Sequence, residues 1–478
     1  MNKLTLVSSV AVLATFVLGC GASTTSKLQD SVVATSTHGK TQSSSNTSST
    51  ATPQVEITYA DPTATNVSVA SPVAKPTSIP IPTEAPIAEA KKLELGESGF
   101  GQGDQSVGWA FLIKNSNADQ AVENSQYQVA IYDKDGAVLK TDSGYIEIML
   151  PGQTLGIAGD VFLEKGQTAS KLEVQISQGK ASAMKPVPDF SVGQVNFIQG
   201  KYSSSAMALV SNPFKRDLTR LRVSSIAFDN AGKIIGGGYT YLNFILSEST
   251  TAVKVPVKSA GEVAKVILYP TFSGLSSIKS GDDRPKNIEA IKINKFGFGQ
   301  ERINAGYGLL VENPNEGVSV ERSEYHITAY TRDGSIVAVE EGYIEVILPK
   351  QKLGVGGSFY LDEGVIADKI DVQVLSGEYV KSDPVPPFTA ENVTLLPGSY
   401  STKVTGQIVN PYKKDISNLR VSAIAYDSEG NIVGGGSSYA DFVPANGKAA
   451  VEVSVEGTQK MASAELYATL SALSDIKK

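Results

Sequence analysis

Few side chains in this 478-residue chain are of the types that do chemistry, and their spacing must separate reactive roles from structural ones. Glu147 and Glu345 each sit inside an apolar run, Tyr145-Ile146-Glu147-Ile148 and Tyr343-Ile344-Glu345-Val346. Paired carboxylates are the equipment of a glycoside hydrolase, provided that they face each other across a cleft. Alternation instead puts each glutamate on the face opposite its apolar neighbours, at a solvent edge or a paired junction. The chain has two histidines, His38 and His326, in unlike surroundings. A Ser-His-Asp relay would have to use His326. That residue lies in the alternating run Tyr325-His326-Ile327, is expected to face solvent, and has no Gly-x-Ser-x-Gly elbow to serve it. With a single cysteine, Cys20, an intramolecular disulfide is excluded, and with the two histidines so far apart a metal site built on His and Cys is not expected.

Two glycine-containing motifs imitate ligand sites. Asp133-Lys134-Asp135-Gly136 opens like a calcium loop but lacks the later oxygen ligands and the closing bidentate glutamate, so it reads as a hairpin turn. Gly236-Gly237-Gly238 and Gly434-Gly435-Gly436 lack the Lys-Ser/Thr pair and the helix of a phosphate cradle; they read as bulges or bends within strands. Trp109 and its counterpart Tyr307 alternate with large apolar residues and read as core, the sharper alternative being an aromatic platform for sugar. The reading is therefore non-enzymatic: no catalytic residue, no metal and no cofactor. A net charge of -7 and a pI near 5.2 argue against nucleic acid as partner, because such binding needs a dense cationic face.

The one cysteine has a different chemistry. Lys3 precedes an apolar run from Leu4 to Leu18, which ends in Val17-Leu18-Gly19-Cys20. The run is short for a bilayer span and fits a leader peptide better. Its end resembles a lipobox, although Leu18 is bulkier than the small residue common there. The resemblance implies cleavage after residue 19 and a lipid on Cys20. This predicts a leader over 1–19 and a body held to the cell membrane, facing away from the cytoplasm. From 20 to 92 the chain is rich in Ser, Thr and Pro, with Pro72, Pro76, Pro80, Pro82 and Pro86. It is too poor in apolar residues to offset its own ordering entropy, so a disordered tether is expected. As a flexible coil, its ends would lie roughly 45–50 Å apart.

What must position any site is a duplication. Phe100-Gly101-Gln102 recurs as Phe298-Gly299-Gln300, Gly144 to Pro151 as Gly342 to Pro349, Leu221-Arg222-Val223-Ser224 as Leu419-Arg420-Val421-Ser422, and the glycine triplets likewise, always offset by 198 positions. A weaker repeat, offset by 96, relates Ile131-Tyr132-Asp133 to Ala227-Phe228-Asp229. Four modules in the order A-B-A-B follow: 93–187, 188–283, 284–385 and 386–478. Tyr127, Val129 and Ile131 alternate on one face, which is a strand signal. Asp135-Gly136, Asp333-Gly334 and Glu429-Gly430 supply hairpin turns, and Asn212-Pro213, Asn313-Pro314 and Asn410-Pro411 end strands. Short strands at this spacing predict an all-β fold of antiparallel sandwiches.

The unit Tyr/Phe-Asp-x-x-Gly after an apolar strand, preceded by a strand ending in Asn-Pro, resembles the FxLYD and LEA14-like domains. Residues 129–136 and 424–430 match best; 226–232 carries Phe for Tyr, and Tyr330-Thr331 breaks the pair. The resemblance implies four tandem immunoglobulin-like modules and supplies no activity. The functional expectation is a non-catalytic cell-envelope lipoprotein that presents binding or scaffolding modules to an envelope protein. Binding of carbohydrate or cell-wall glycan is the alternative, marked by exposed Tyr or Trp on one face; a glycan-active hydrolase is the remote one.

Overall fold

The computed structural model describes residues 90–200, 203–279, 285–398 and 402–476. The leader, Cys20, His38 and the tether up to residue 89 lie outside them. Every regular element among the described residues is a β-strand, and the sheets are antiparallel. The all-β expectation therefore stands.

Four large hydrophobic cores follow one another along the chain. The first lies between a sheet ordered β1 (Glu94–Gly103), β2 (Ser106–Lys114), β5 (Thr154–Phe162) and a sheet ordered β4 (Val138–Met149), β3 (Gln120–Tyr132), β6 (Lys171–Ser177). A short β7 (Lys180–Ala183) pairs with the start of β3. Val107, Trp109, Phe111 and Ile113 point inward from β2 and meet Tyr127, Val129 and Ile131 from β3, as period-two alternation requires. The fourth strand pairs with the third rather than with the fifth, so this sandwich is split three strands against three plus the short β7.

The second core repeats the plan. One layer holds β8 (Ser191–Val192), β9 (Asn196–Ile198), β10 (Ser204–Ser211) and β13 (Thr250–Ser259). The other holds β12 (Ile234–Ile245), β11 (Asp217–Phe228), β14 (Lys265–Thr271) and β15 (Ser277–Lys279). The third core uses β16 (Lys292–Glu301), β17 (Asn304–Glu312) and β20 (Lys352–Tyr360) against β19 (Ile336–Ile347), β18 (Val318–Tyr330), β21 (Lys369–Leu375) and β22 (Glu378–Lys381). The fourth uses β23 (Thr389–Leu396), β24 (Thr402–Val409) and β27 (Lys448–Gly457) against β26 (Ile432–Val443), β25 (Ile416–Tyr426), β28 (Ser463–Thr469) and β29 (Asp475–Ile476).

The Tyr/Phe-Asp pair has a local purpose. Asp133 Oδ1 accepts from the amides of Asp135 and Ala137 at 2.9 and 2.8 Å, and Gly136 takes φ 83°. Asp229 and Asp427 close their turns in the same way. Where Thr331 breaks the pattern, its Oγ1 takes over and accepts from Ser335 N at 3.1 Å. The calcium-like motif is thus a hairpin whose aspartate satisfies backbone donors.

Asn212, Asn313 and Asn410, expected only to end strands, do more, and Asn115 at the equivalent place in the first sandwich acts with them. Asn115, Asn212, Asn313 and Asn410 are all buried. Asn313 Nδ2 donates to the carbonyls of Val318, Ile347 and Leu348 at 2.8–3.2 Å, and its Oδ1 accepts from Asn315 N. One side chain thereby ties three stretches of backbone together at each of the four equivalent places.

The glycine triplets are bends, as read, and they are also contact surfaces. A bulge falls between Ala227 and Phe228 of β11, opposite the start of β12. There Gly236 and Gly237 turn to pair with Ser259 and Lys258 of β13, joining the two layers of the second core along one side. Gly434 and Gly435 do the same in the fourth. The outer face of the β1-β2-β5 sheet lies on this seam. A methyl group on Gly108 would sit 2.1 Å from Lys258 O, and one on Gly306 1.9 Å from Glu456 O. Backbone approaches backbone there, which only glycine permits. Ala110, Ala158, Ile226 and Ile234 fill the rest of the first seam.

Candidate functional site

A third kind of contact joins the two halves, and it carries the candidate site. Met207 and Ala252 of the second core pack on Tyr330 and Ile336 of the third. Thr251 Oγ1 donates to Gln373 Oε1 at 2.8 Å, and Asn196 Nδ2 to Ile336 O at 2.9 Å. His326 lies in this junction and is 2% exposed. The expectation that it faces solvent is wrong: alternation does put it on the outer face of its own sheet, but that face is covered by the second core. Its ring meets Phe244 edge-on at 6.4 Å. Burial holds it down to about 4, so it is neutral at pH 7.

Beside the junction, the second, third and fourth cores enclose a cleft of about 660 Å³. Strand β11 contributes Arg220; β18 contributes Arg322 and Glu324; β19 contributes Glu341, Tyr343 and Glu345; β25 contributes Arg420; β26 contributes Tyr439. Arg220 donates to Tyr343 OH at 2.8 Å and to Asn243 Oδ1 at 2.5 Å, and stands 4.0 Å from Glu324. Asn243 Nδ2 donates in turn to Glu341 Oε2 at 2.6 Å, whose other oxygen lies 3.8 Å from His326 Nε2. Desolvation pushes Glu341 up to about 7, with Glu324 and Glu340 adding to the rise; Asn243 and Arg220 oppose it. Glu340 is also pushed up to about 7 by desolvation, against the pull of Lys254. Arg420 donates to Tyr343 O at 3.2 Å, and Arg322 pairs with Glu378 at 2.5 Å.

Two of these arginines occupy unusual backbone. The central strand of the larger layer in each sandwich has one left-handed residue at the same place in the repeat: Asn124 at φ 57°, Arg220 at 55°, Arg322 at 55° and Asn418 at 51°. Asparagine tolerates that region readily, whereas a long side chain held there costs conformational energy and is found where surroundings demand it. The first and last copies use asparagine. The middle two use arginine, and both arginines line the cleft.

The sequence-derived candidates separate cleanly. Glu345 lines the cleft; Glu147 lies on β4, in the first sandwich. Trp109 and Tyr307 are core residues at 0% and 5% exposure, so neither is a sugar platform. The exposed tyrosines at the cleft are Tyr343, 43% exposed, and Tyr439, 50% exposed. Sequence reading missed Arg220, Arg322 and Tyr439. The signal was present: aligned at both offsets, position 124 reads Asn, Arg, Arg, Asn through the four copies. Among the described residues, no group of three or more His, Cys, Asp or Glu side chains could hold a metal ion. Glu324, Glu341 and Glu378 lie instead against Arg220, Asn243 and Arg322, which makes the cleft a lining of fixed donors and acceptors beside two exposed tyrosines.

This defines a class, a tandem β-sandwich protein with a polar cleft at the meeting of three sandwiches. No family model matches the chain, and no curated protein matches it. Among solved structures the chain is similar to Escherichia coli alpha-2-macroglobulin activated by porcine elastase, at 12% identity and a TM-score of 0.11. That match covers 80% of this chain and 42% of the other, so the chain spans under half its length. A likeness at that level carries no argument about fold or function.

Proposed function

We propose that this protein is a non-catalytic cell-envelope lipoprotein, anchored through a lipid on Cys20, whose repeated body binds an envelope component in the cleft around Arg220 and Arg322. In this reading residues 20–92 hold the body away from the membrane, and 93–187, 188–283, 284–385 and 386–478 are four FxLYD-like modules. The observation that carries the binding site is the placement of arginine at the two left-handed strand positions that open on one cleft, where the outer copies keep asparagine. Strained backbone persists where something offsets its cost, and ligand sites are the usual place. The glycine seams and buried asparagines serve this reading by holding the sandwiches in fixed register, so the cleft is formed before a ligand arrives.

The test is a photo-crosslinking residue at position 345 of the full chain in living cells, with the repeat counterpart 147 as control. A covalent adduct with an envelope component at 345 and none at 147 is expected. Equal labelling at both positions, or none at 345, sinks the cleft assignment. For the anchor, Cys20→Ser is expected to abolish palmitate labelling and release the protein; labelling that persists removes that part of the proposal.

A further inference from the structure

We infer that the ligand of this cleft is a neutral saccharide, an inference that rests on the proposed binding function and narrows it. Charge is the first argument. Three arginines face four glutamates in the lining. Arg322 is paired with Glu378, and Arg220 stands near Glu324. An ionic ligand would have to break such pairs to gain its own, and would leave a charge without its partner. A hydroxyl meets no such penalty. It donates to a carboxylate and accepts from a guanidinium at once, so a polyol matches a lining that offers both.

The aromatic residues are the second argument. Tyr343 and Tyr439 come from different sandwiches and both remain about half exposed while lining the same cleft. Tyr343 is fixed from two sides, its hydroxyl by Arg220 and its carbonyl by Arg420. A ring held at its hydroxyl and 43% exposed is a stacking surface for the apolar C–H face of a pyranose, and its preorganisation lowers the entropy cost of binding. Hydroxyl groups around the sugar's edge then fall to the arginines and glutamates that frame the ring. The volume, about 660 Å³, lies within the ordinary span of ligand clefts. The hydrolase alternative gains nothing from the same residues: Glu341, the cleft carboxylate with its affinity for protons raised, has its oxygens directed at Asn243 and His326.

The experiment uses the purified full chain in detergent. It is titrated with neutral tetrasaccharides of glucose, galactose, mannose and N-acetylglucosamine, and with tetrameric uronates as acidic counterparts. At least one neutral tetrasaccharide is expected to bind. Tyr343→Ala and Tyr439→Ala are each expected to weaken it by about tenfold or more, whereas Tyr145→Ala, the exposed counterpart in the first half, leaves it unchanged. Circular dichroism of each variant guards against loss of fold. Binding to none of the neutral sugars, binding to uronates alone, or binding indifferent to both tyrosines overturns the saccharide inference. Capture of a protein at position 345 in cells, with no sugar bound in vitro, also overturns it while leaving the proposed binding function intact.

Discussion

The two halves of the body, 93–283 and 284–478, share a plan and differ where their neighbours differ. Gln128 is exposed on its strand; the residue 198 positions later, His326, is buried against Phe244. Ser143 and Asp142 become Glu341 and Glu340, and Asn124 becomes Arg322. His326 and Glu341 sit opposite each other on neighbouring strands, on the sheet face that the second sandwich covers in the later half. The same strands, differently covered, have acquired different chemistry. A second difference runs the other way. Phe190, Phe214 and Phe272 form a ring cluster with centroids 5.3–6.1 Å apart. Their counterparts are Phe388, Tyr412 and Leu470; the first two keep their ring contact, and all three line an apolar cavity of about 340 Å³.

The largest effect is expected at the glycine seams. A methyl on Gly435 would lie 1.9 Å from Tyr307 O, against 2.6 Å from Ser225 O for Gly237. Gly435→Ala is expected to cost about 3 kcal/mol and Gly237→Ala about 1–2 kcal/mol in denaturant unfolding. Equal and small losses would mean that the seams yield easily and do not hold register.

The next effect depends on pH and belongs to the second half alone. Glu340 and Glu341 have folded values near 7 against an ordinary 4.5. The folded state therefore binds more protons than the unfolded one between those limits, so their contribution is fully present below pH 4.5 and lost as pH rises through 7. His326, held near 4 against 6.5, acts oppositely: its contribution is lost as pH falls from 6.5 to 4. Glu341→Ser, the first-half residue, is expected to recover about 1–2 kcal/mol at pH 8 and nothing at pH 4.5, allowing for the partial exposure of the side chain. His326→Gln should stabilise at pH 4.5 and leave pH 8 unchanged. Thermal unfolding across this range checks both, and a flat difference curve for either variant would break the account of the junction.

The smallest effect tests the cavity. Leu470→Phe restores the first-half residue and is expected to stabilise by ~1 kcal/mol through added burial. A loss of stability would show that the second half has closed around leucine in a way the first has not.

Much of the fold was legible without coordinates. The repeat, the strand alternation and the Asp-Gly turns each rest on local chemistry: side chains two apart share a face, and glycine accepts positive φ. Asn212, Asn313 and Asn410 were legible as strand ends but not as latches, because their partners lie about 34 residues away in sequence. The site was legible only in outline. Glu345 was singled out, and the column Asn, Arg, Arg, Asn was available in the aligned copies, yet no pattern within a strand tells which outer face a neighbour will cover.

That limit marks the division for this protein. The sequence by itself determined the all-β architecture, its internal repeat and the turn chemistry. It also carries, at Cys20, the motif from which the anchor is proposed. Only the tertiary structure decided that His326 is buried, that the glycine triplets are seams, and that Arg220, Arg322 and Tyr439 share a cleft. The reason is physical. Strand periodicity assigns a residue to a face, but burial and electrostatics depend on what packs against that face, and here the neighbour is another copy of the same fold.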